Sequence, residues 1–317
     1  WSITSAMSVF FDFAQTVNPL RNPVATIGNF DGVHRGHLTL FDMVKQRAAM
    51  INGESVVITF DPHPLKVMKP GNGPPLITPT EQKLSLIKAA GIEIIFCIPF
   101  TRNFASISAR EFVQNILLDG IGIREIVVGY DYSFGRGREG NIELLKEMGQ
   151  TGGFLVHVAE PVHIGDRLVS STAIRELLQE GNLPDAKLLL GRDYQISGQV
   201  VKGMNRGGRL LGFPTANLDP IDELVPRVGV YAVHVVIDDT VFEGVTNIGY
   251  NPTFGKGPFS VETHILDFER DLVGKDIIIR FKKRLRNEKK FASIDELSDQ
   301  IRKDVLTAKK LFSDHQG

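Results

Sequence analysis

The chain has little cysteine, almost no net charge and no long apolar run. Its one cysteine, Cys97, cannot form an internal disulfide, and its apolar neighbours predict a packed strand rather than a reactive thiol. The net charge of −1 gives no bulk attraction to nucleic acid, so we expect no nucleic-acid partner. No apolar segment reaches membrane-spanning length, and the N-terminus lacks a secretion-signal pattern. We therefore expect a cytoplasmic protein without a membrane partner.

The sequence also contains no internal repeat, no low-complexity segment and no Walker A loop. The nearest candidate, Gly255-Lys256, is followed by glycine where serine or threonine is required. What remains is an ordinary globular composition, with 42% hydrophobic and 23% charged residues. At 317 residues the chain is long enough for two hydrophobic cores.

The first part of the chain alternates strand and helix patterns. Strands are predicted at 24–28, 55–60, 92–98, 124–129 and 154–158, and helices at 37–51, 79–90, 109–118 and 141–149. Capping boxes at Thr78–Glu81 and Ser108–Glu111 are predicted to open two of these helices. Such alternation predicts an α/β fold, a doubly wound parallel sheet with helices on both faces. Segments 28–37, 61–64, 101–104 and 130–141 each follow a strand, at the edge where such sheets bind ligands.

The pattern changes after Leu183-Pro184. A short helix at 185–190 is followed by strand candidates with period-2 character at 194–202, 229–237, 241–246, 260–268 and 275–282. Glycine and proline separate them, which predicts a compact antiparallel β-barrel. Ser293 and Glu296 then predict the start of a terminal helix that runs to about Phe312. We place the two domains at 7–186 and 187–317.

The segment Gly28-Asn-Phe-Asp-Gly-Val-His-Arg-Gly-His37 lies between a predicted strand and a predicted helix. Its glycines allow a tight turn and close approach to a ligand, and a helix N-terminus attracts phosphate. His34 and His37 can donate hydrogen bonds to phosphate oxygens there, although they could also be ordinary polar residues of a turn. The segment resembles the His-x-Gly-His signature of the nucleotidylyltransferase superfamily. Asp31 is placed to support either the loop or the nucleotide.

Two further segments extend this resemblance. Ser170-Ser-Thr-Ala-Ile-Arg175 opens a helix with hydroxyl groups and an arginine that suit phosphate, although plain helix capping is an alternative. Residues 135–140 match Gly-x-Gly-x-x-Gly, but five residues separate the strand from the first glycine, which excludes a dinucleotide-binding turn. The arginines and tyrosines of 129–141 instead suit a planar, phosphorylated ligand.

Taken with Phe60-Asp-Pro-His-Pro64, these segments resemble, in order, the FMN adenylyltransferase module of bacterial bifunctional FAD synthetases. The resemblance implies that ATP is bound by Gly28, Phe30, Asp31, His34, His37, Ser170, Ser171, Thr172 and Arg175, with the two histidines catalytic. It implies that the flavin is bound by Asp61, Pro62, His63, Pro64, Asp131, Phe134, Arg138 and Asn141.

A second string, Gly208-Arg-Leu-Leu-Gly-Phe-Pro-Thr-Ala-Asn-Leu218, lies in the barrel half. In an extended segment Thr215 and Asn217 point the same way, and their oxygens are suitable ligands for Mg²⁺. The string resembles the Pro-Thr-Ala-Asn motif of riboflavin kinases, although by itself it could be a turn. The family usually has Arg-Gly-Arg where this chain has Gly207-Gly208-Arg209.

The riboflavin kinase resemblance implies further roles. Glu262, on a predicted strand, is the expected general base for the riboflavin 5′-hydroxyl. Loops at 198–203 and 206–212 are expected over the nucleotide phosphates. ATP binding is assigned to Gly198, Gly203, Arg209, Gly212, Pro214, Thr215 and Asn217, the metal to Thr215 and Asn217, and the flavin to Arg286, Glu288 and Phe291.

The resemblance implies a bifunctional enzyme that phosphorylates riboflavin to FMN and then adenylylates FMN to FAD. ATP would be the co-substrate, Mg²⁺ the metal, and riboflavin and FMN the other small-molecule substrates. Two alternatives stay open: an adenylyltransferase for another phosphorylated metabolite, and a non-catalytic flavin or nucleotide sensor. The sequence leaves the oligomeric state open, with a homo-oligomer as one outcome.

Overall fold

The computed structural model describes residues 8–15, 19–202, 213–219, 223–250 and 259–314. The chain divides into two compact units, Trp1–Ser171 and Thr172–Gly317. The first contains a parallel sheet and the second a closed antiparallel barrel. This confirms the fold class that the sequence predicts for each half.

The first unit is built on a six-stranded sheet in which every neighbouring pair is parallel. In chain order the strands are β1 (Ser8–Phe10), β2 (Val24–Ile27), β3 (Ser55–Asp61), β4 (Ile94–Pro99), β5 (Glu125–Gly129) and β6 (Leu155–Ala159). They lie side by side in the order β1-β4-β3-β2-β5-β6. Strands β2 to β4 are almost completely buried, as expected for apolar runs covered on both faces. The sequence predicted all of them except β1, whose three residues are too few to show a period.

Helices cover both faces of this sheet. In chain order the helices associated with the unit are α1 (Arg35–Met50), α2 (Pro64–Met68), α3 (Thr80–Ala89), α4 (Arg102–Ala105), α5 (Ala109–Glu111), which continues in π-helical turns over Phe112–Ile121, and α6 (Ile142–Gly152). Phe41 and Ile87 bring α1 and α3 onto one face. Phe112, Leu117 and Leu145 bring the other two long helices onto the opposite face. The sheet is therefore doubly wound.

The strand order places the first motif at a reversal of chain direction across the sheet. Strand β2 lies between β3 and β5, so that successive strands run outward from β2 on one side and from β5 on the other. Ligands of doubly wound sheets bind outside the carboxyl ends of the strands at such a switch point. The segments that follow β2, β3 and β5 are 28–34, 62–63 and 130–141. The sheet therefore brings all three predicted motifs to one edge.

One predicted helix start is wrong and one is confirmed. Helix α3 begins at Thr80, and its cap residue Pro79 makes no side-chain capping bond. The Thr78 hydroxyl does not cap the helix, because it accepts the Gly32 N–H at 3.0 Å instead. The capping box between Ser108 and Glu111 is present with both reciprocal bonds. A threonine three residues before a glutamate is thus an ambiguous signal when another buried donor lies nearby.

A hairpin with two residues in each strand, followed by two helices, connects the sheet to the barrel. They are β7 (His163–Ile164), β8 (Arg167–Leu168), α7 (Ser171–Glu180) and α8 (Leu183–Leu190). Helix α7 begins at Ser171, as predicted, and its remaining residues belong to the second unit.

The second unit is a closed barrel of six antiparallel strands. They are β9 (Gln195–Val201), β10 (Ala216–Leu218), β11 (Gly229–Ile237), β12 (Thr240–Gly249), β13 (Ser260–Ile265) and β14 (Asp276–Arg286), in the spatial order β10-β13-β12-β11-β14-β9. The terminal helix α9 (Ile294–Ser313) begins after Ser293, whose hydroxyl accepts the Glu296 N–H. Its Ala308 and Phe312 pack against Val230 and Ala232 of the barrel.

The predicted phosphate loop at 198–203 is wrong for its first part. Gly198 lies within β9 and pairs with Ile277 of β14, and Val201 at the end of the strand pairs with Asn217 of β10. Because residues 198–201 pair with the neighbouring strands of the barrel, they form a strand rather than a loop. Gly203, Arg209 and Gly212 lie outside the described residues.

Candidate active sites

His34 and His37 form the N-terminus of α1 together. His34 is the cap residue; its Nδ1 accepts the His37 N–H at 3.3 Å, while the His34 N–H donates to His37 Nδ1 at 3.4 Å. The rings stack with centroids 3.5 Å apart. His34 is buried and His37 half-buried. The sequence predicted two histidines at this helix start, and the structure adds that they cap it reciprocally.

The reciprocal caps fix how each imidazole is protonated. A neutral imidazole has one donor and one acceptor nitrogen. Because both Nδ1 atoms accept backbone N–H groups, the neutral rings carry their protons on Nε2. Gly36 makes room for this arrangement, since a Cβ there would lie 3.2 Å from the His34 ring. The pair thus offers two Nε2–H donors at a helix N-terminus, which is suited to an anion.

Asp31 supports the loop that carries the histidines. Its buried carboxylate accepts the N–H groups of Ile77 at 3.0 Å and Thr78 at 3.0 Å. The Ser171 hydroxyl donates to the Asp31 carbonyl at 2.9 Å, which joins the second predicted segment to the first. The structure therefore gives Asp31 a loop-supporting task, the first of the two roles the sequence left open.

The backbone of this loop is tightly shaped. Phe30 and Val33 have positive φ angles of 49° and 37°. The Phe30 ring is buried and contacts His37 and Phe41 edge-on, and a Cβ at Gly28 would lie 2.9 Å from it. The loop is held in an uncommon backbone conformation by packing, which is frequent at binding sites.

The other residues of the second segment occupy the start of α7. Ser170 precedes the helix and Ser171 is its first residue. Thr172 and Arg175 lie in its first two turns and fall in the second unit. These positions agree with the prediction that the segment opens a helix.

The turn at Asp61–Pro64 follows β3 directly. The Asp61–Pro62 peptide bond is cis, and buried His63 caps α2 through its Nδ1, which accepts the Leu65 N–H. Asp61 is exposed and accepts the Thr80 hydroxyl at 2.6 Å. Pro64 is the first residue of α2. The turn is thus a rigid wall at the carboxyl edge of the sheet, as its proline content predicted.

The glycine-rich loop after β5 is anchored by Phe134. Its ring is buried, stacks on Tyr132 and packs against Phe112. The Arg138 guanidinium donates to the Ser133 hydroxyl at 2.7 Å, and the Asn141 side chain caps α6. Asp131 is exposed. Phe134 and Asn141 therefore have structural tasks that the flavin assignment did not include.

A cavity of about 350 Å³ opens beside the Asp61–Pro64 turn and the glycine-rich loop. It is lined by Val67, Met68, Arg102, Ala105, Ser106, Arg136 and Gly137. Its wall is formed by α2, α4 and the glycine-rich loop, and the two arginines are exposed. A volume of this size lies within the range of small-molecule pockets. Arg102, Arg136 and Gly137 lie in segments that the sequence predicted at the ligand-binding edge, whereas the other four lining residues were not predicted.

Two buried polar residues of the first unit were missed by the sequence prediction. Thr78 bonds to Gly32 in the loop that follows β2, and Lys83 donates to the Phe60 carbonyl at 2.7 Å. Lys83 lies four residues before buried Ile87 on α3. A lysine on the buried stripe of a helix is the signal that could have found it, because unpaired lysines are rarely buried.

The second site lies on the outer face of the barrel. Glu262 of β13 pairs directly with Asn217 of β10 on one side and with Asn247 of β12 on the other. Directly paired residues place their side chains on the same face. All three residues are half-buried, and Glu262 lies between the buried Val261 and Thr263 of its own strand. Glu262 also accepts the Ser260 hydroxyl at 3.1 Å.

Pro214 and Thr215 lie just before β10 and are exposed. The Pro214 carbonyl is 2.9 Å from His264 Nδ1 on the adjacent strand. Strand β10 begins at Ala216, so Asn217 lies within the strand and Thr215 immediately precedes it. That the Thr215 and Asn217 side chains share one face stays a prediction. In the described ranges no group of three or more histidine, cysteine, aspartate or glutamate residues could hold a metal.

The C-terminal residues that the sequence assigned to flavin make contacts within the protein. The Arg286 guanidinium pairs with buried Asp304 of α9 at 2.8 Å and lies over the Phe291 ring at 5.8 Å. The Glu288 carboxylate accepts the Tyr250 N–H at 3.1 Å, and Gly249 leaves it room. The structure brings the three residues into one neighbourhood beside the end of β12.

Two protein-family models match this chain. FAD synthetase matches residues 17–173 and Riboflavin kinase matches residues 190–312. The chain is 39% identical over 295 residues to the bifunctional riboflavin kinase/FMN adenylyltransferase of Escherichia coli, covering 93% of this chain and 94% of that protein. It is 39% identical over 292 residues to the bifunctional riboflavin kinase/FMN adenylyltransferase of Pseudomonas fluorescens, covering 92% and 93%.

A solved structure is similar over nearly the same length. The crystal structure of a protein described as a macrolide-efflux protein from Streptococcus pneumoniae has a TM-score of 0.85 and 30% identity to this chain. The alignment covers 96% of this chain and 98% of that one. None of the helices among the described residues is long and apolar enough to cross a membrane.

Proposed function

This chain belongs to the family of bifunctional riboflavin kinases and FMN adenylyltransferases, and we propose how its residues divide the two reactions. The enzyme phosphorylates riboflavin to FMN with ATP and adenylylates FMN to FAD with release of pyrophosphate. We assign adenylylation to 7–186 and phosphorylation to 187–317. Family matches that end at residue 173 and begin again at residue 190 support a boundary between them.

In the first reaction site, the FMN phosphate attacks the α-phosphorus of ATP and the bond to pyrophosphate breaks. The attacking oxygen is already anionic, so no protein nucleophile is required. Catalysis then consists of alignment and of stabilising the charge that moves to the leaving group. The reciprocal caps of His34 and His37 are the observation that carries this proposal, because with both Nδ1 atoms accepting backbone N–H groups the rings donate through Nε2 at a helix N-terminus, where we place the ATP phosphates.

The remaining ATP contacts are assigned along the same loop and helix. Gly28 and Phe30 form the loop surface, and Asp31 holds it. Ser170 and Ser171, with Thr172 and Arg175 on α7, add hydroxyl, N–H and guanidinium donors at a helix start. An arginine paired with phosphate gives a charge-assisted hydrogen bond.

We place the isoalloxazine of FMN in the 350 Å³ cavity, between Asp61–Pro64 and the glycine-rich loop. Val67, Met68 and Ala105 give the apolar surface that a flat ring system requires. Arg102 and Arg136 extend the set of flavin contacts beyond Asp131, Phe134, Arg138 and Asn141. Phe134 and Asn141 act by holding the loop in shape.

Filling the cavity tests this placement. Met68→Trp should raise the KM for FMN about tenfold or more, because a ring in the pocket competes with the flavin for space. The KM for ATP and the kinase activity should not change. Met50→Trp, at a methionine that is 72% exposed on α1, is the matched control. An unchanged KM for FMN in Met68→Trp would exclude the cavity as the flavin site.

In the second reaction site, Glu262 is the general base. It takes the proton of the riboflavin 5′-hydroxyl as that oxygen attacks the γ-phosphorus of ATP, and ADP leaves. The direct pairing of Glu262 with Asn217 and Asn247 supports this role, since it places a carboxylate between two amide side chains on an accessible face. Arg286, Glu288 and Phe291 are assigned to the flavin of this site.

The oxygens of Thr215 and Asn217 fit Mg²⁺, which prefers hard oxygen ligands and retains waters and substrate phosphates in its coordination shell. Bound there, Mg²⁺ would neutralise phosphate charge. Asn217 lies on β10 directly opposite Glu262, and Thr215 immediately precedes that strand, which supports a metal position beside the carboxylate. Gly203, Arg209, Gly212 and Pro214 are assigned to ATP on sequence grounds.

Purified chain incubated with riboflavin, ATP and Mg²⁺ tests the whole assignment. Chromatography of the flavins should show riboflavin decreasing, FMN appearing and FAD following. A chain that forms neither product would overturn the proposal. On the sequence grounds given above we also propose a cytoplasmic location, with no nucleic-acid or membrane partner.

A further inference from the structure

The segment Ile77–Lys83 forms hydrogen bonds to two parts of the proposed adenylylation site, the loop that follows β2 and the end of β3. At its start, the N–H groups of Ile77 and Thr78 donate to Asp31, and the Thr78 hydroxyl accepts the Gly32 N–H. These bonds hold the loop at 28–34, which we call the nucleotide loop. Further along, the Thr80 hydroxyl and the Lys83 ammonium bond to the end of β3. One short piece of chain therefore connects two loops that belong to different strands.

The second set of bonds acts on the end of β3. Thr80 donates to the Asp61 carboxylate at 2.6 Å, and Lys83 Nζ donates to the Phe60 carbonyl at 2.7 Å. Phe60 and Asp61 are the last two residues of β3, immediately before the cis bond to Pro62. Lys83 thus fixes the point from which the Asp61–Pro64 turn leaves the sheet.

Burying Lys83 is unfavourable for the free energy of folding. Lys83 is 5% exposed, and a cation in the first turn of a helix opposes the helix dipole. Burial lowers the pKa of Lys83 from its ordinary value, and the nearby Cys97, Asp61 and Asp31 groups act in the opposite direction. An apolar side chain would fill this position at lower cost, so the charge requires another explanation.

We propose that Lys83 is a positioning residue for FMN adenylylation. Its ammonium holds the end of β3, and so sets the distance between the flavin-side turn and the nucleotide loop, which the same segment holds through Thr78. The FMN phosphate is thereby aligned with the α-phosphorus of ATP, where small displacements are costly. This inference rests on the proposed placement of FMN beside Asp61–Pro64.

Lys83→Met tests the proposal, because methionine keeps the length of the side chain and removes its charge and donors. We expect the KM for FMN to rise about 10- to 100-fold, the effect of losing one charge-assisted hydrogen bond. The KM for ATP should change little, since Ile77 and Thr78 still hold the nucleotide loop. Lys88→Met, at an exposed lysine of the same helix, is the matched control and should leave both constants unchanged.

Two threonine variants keep the test decisive if Lys83→Met fails to fold. Thr80→Val removes the bond to Asp61 and should raise the KM for FMN. Thr78→Val removes the acceptor of Gly32 and should raise the KM for ATP instead. A purely structural role would lower the amount of active enzyme and hence the apparent kcat of each variant, without separating the two KM values.

Equal changes in both KM values, or no change in either, would overturn the inference. Met68→Trp, measured alongside, separates this failure from a failure of the flavin placement. If Met68→Trp raises the KM for FMN and the Lys83 and Thr80 variants do not, only the positioning role is wrong. If none of the three raises it, the placement of FMN is wrong as well.

Discussion

Glu262 of β13 lies directly opposite Asn217 of β10 in an antiparallel pair, with both side chains on the outer face of the barrel. The relationship joins two motifs whose residues are 45 positions apart along the chain. The proposed general base and the proposed metal-ligating amide are therefore held by strand register rather than by a loop. The precision of such a pair follows from the barrel, whose closed ladder fixes the register.

We predict that Glu262→Gln loses FMN formation by about 10²- to 10⁴-fold, the usual contribution of a general base. The amide keeps the size of the side chain and cannot accept the hydroxyl proton. The same variant should still make FAD from supplied FMN. Glu243→Gln, at another half-buried strand glutamate of the barrel, is the control and should retain kinase activity. Full kinase activity in Glu262→Gln would contradict the assigned role.

We predict the reverse pattern for His37→Ala, in which riboflavin is converted to FMN and FMN accumulates. The change removes an Nε2–H donor, and it also removes the Nδ1 acceptor that the His34 N–H uses. Helix caps contribute about 1 kcal/mol to stability, so the variant should remain folded. Chromatography of the flavins provides the measurement, and kinase activity in the same sample reports that the second unit is intact. Normal FAD synthesis would exclude His37 from the site.

Gly36→Ala should separate activity from stability. Alanine in place of glycine within a helix favours the helix by about 0.5–1 kcal/mol. The added Cβ would lie 3.2 Å from the His34 ring, which must then move. We expect a raised KM for ATP in adenylylation, unchanged kinase activity and no loss of thermal stability. A variant with unchanged adenylylation would show that the His34 ring position is not critical.

Glu125 should make the first unit sensitive to acid. Its carboxylate is 3% exposed and bonds to Arg47 at 2.6 Å and to His157 at 2.7 Å. The hydrogen bonds from Arg47 hold the pKa of Glu125 below its usual value, and those from His157 add to the effect. A carboxylate with a lowered pKa stabilises the fold above its unfolded pKa, about 4.3, and loses that stability as pH falls through the folded value.

Glu125→Gln should therefore lower the urea midpoint of the first unit at neutral pH and flatten its fall between about pH 5 and pH 2. Glu147→Gln removes an ion pair with Arg110 in which both side chains are more than 60% exposed, and it is the control because such pairs contribute little. An acid dependence equal to that of the unchanged protein would show that the Glu125 interactions contribute no net stability.

The sequence predicted the parallel sheet of the first unit and the antiparallel barrel of the second, and both are present. The buried runs of β2 to β5 have strong periodic or apolar signals, and the His-x-Gly-His string is specific enough to predict a phosphate site. The strand β10 has only three residues, so its closure of the barrel could not be read from periodicity. Gly198 fell in both a predicted strand, 194–202, and a predicted loop, 198–203, because a glycine in a strand carries the same signal as a glycine in a loop; it lies in β9.

The contacts between motifs could not be predicted, because they depend on residues that are distant in the sequence. Thr78 has the spacing of a helix cap, yet its hydroxyl bonds to Gly32, 46 residues earlier. The pairing of Arg286 with Asp304 and the lining of the cavity by Met68 and Arg102 are likewise products of tertiary structure. Sequence motifs located the edges of each site, and the fold determined which side chains meet there.

Mixing two single variants tests the central claim, that two independent sites share only FMN. Glu262→Gln and His37→Ala should each fail to convert riboflavin to FAD, the first stopping at riboflavin and the second at FMN. The two proteins mixed together with riboflavin, ATP and Mg²⁺ should form FAD, because FMN released by one is adenylylated by the other. A mixture that accumulates FMN without FAD, although Glu262→Gln alone adenylylates supplied FMN, would contradict the account.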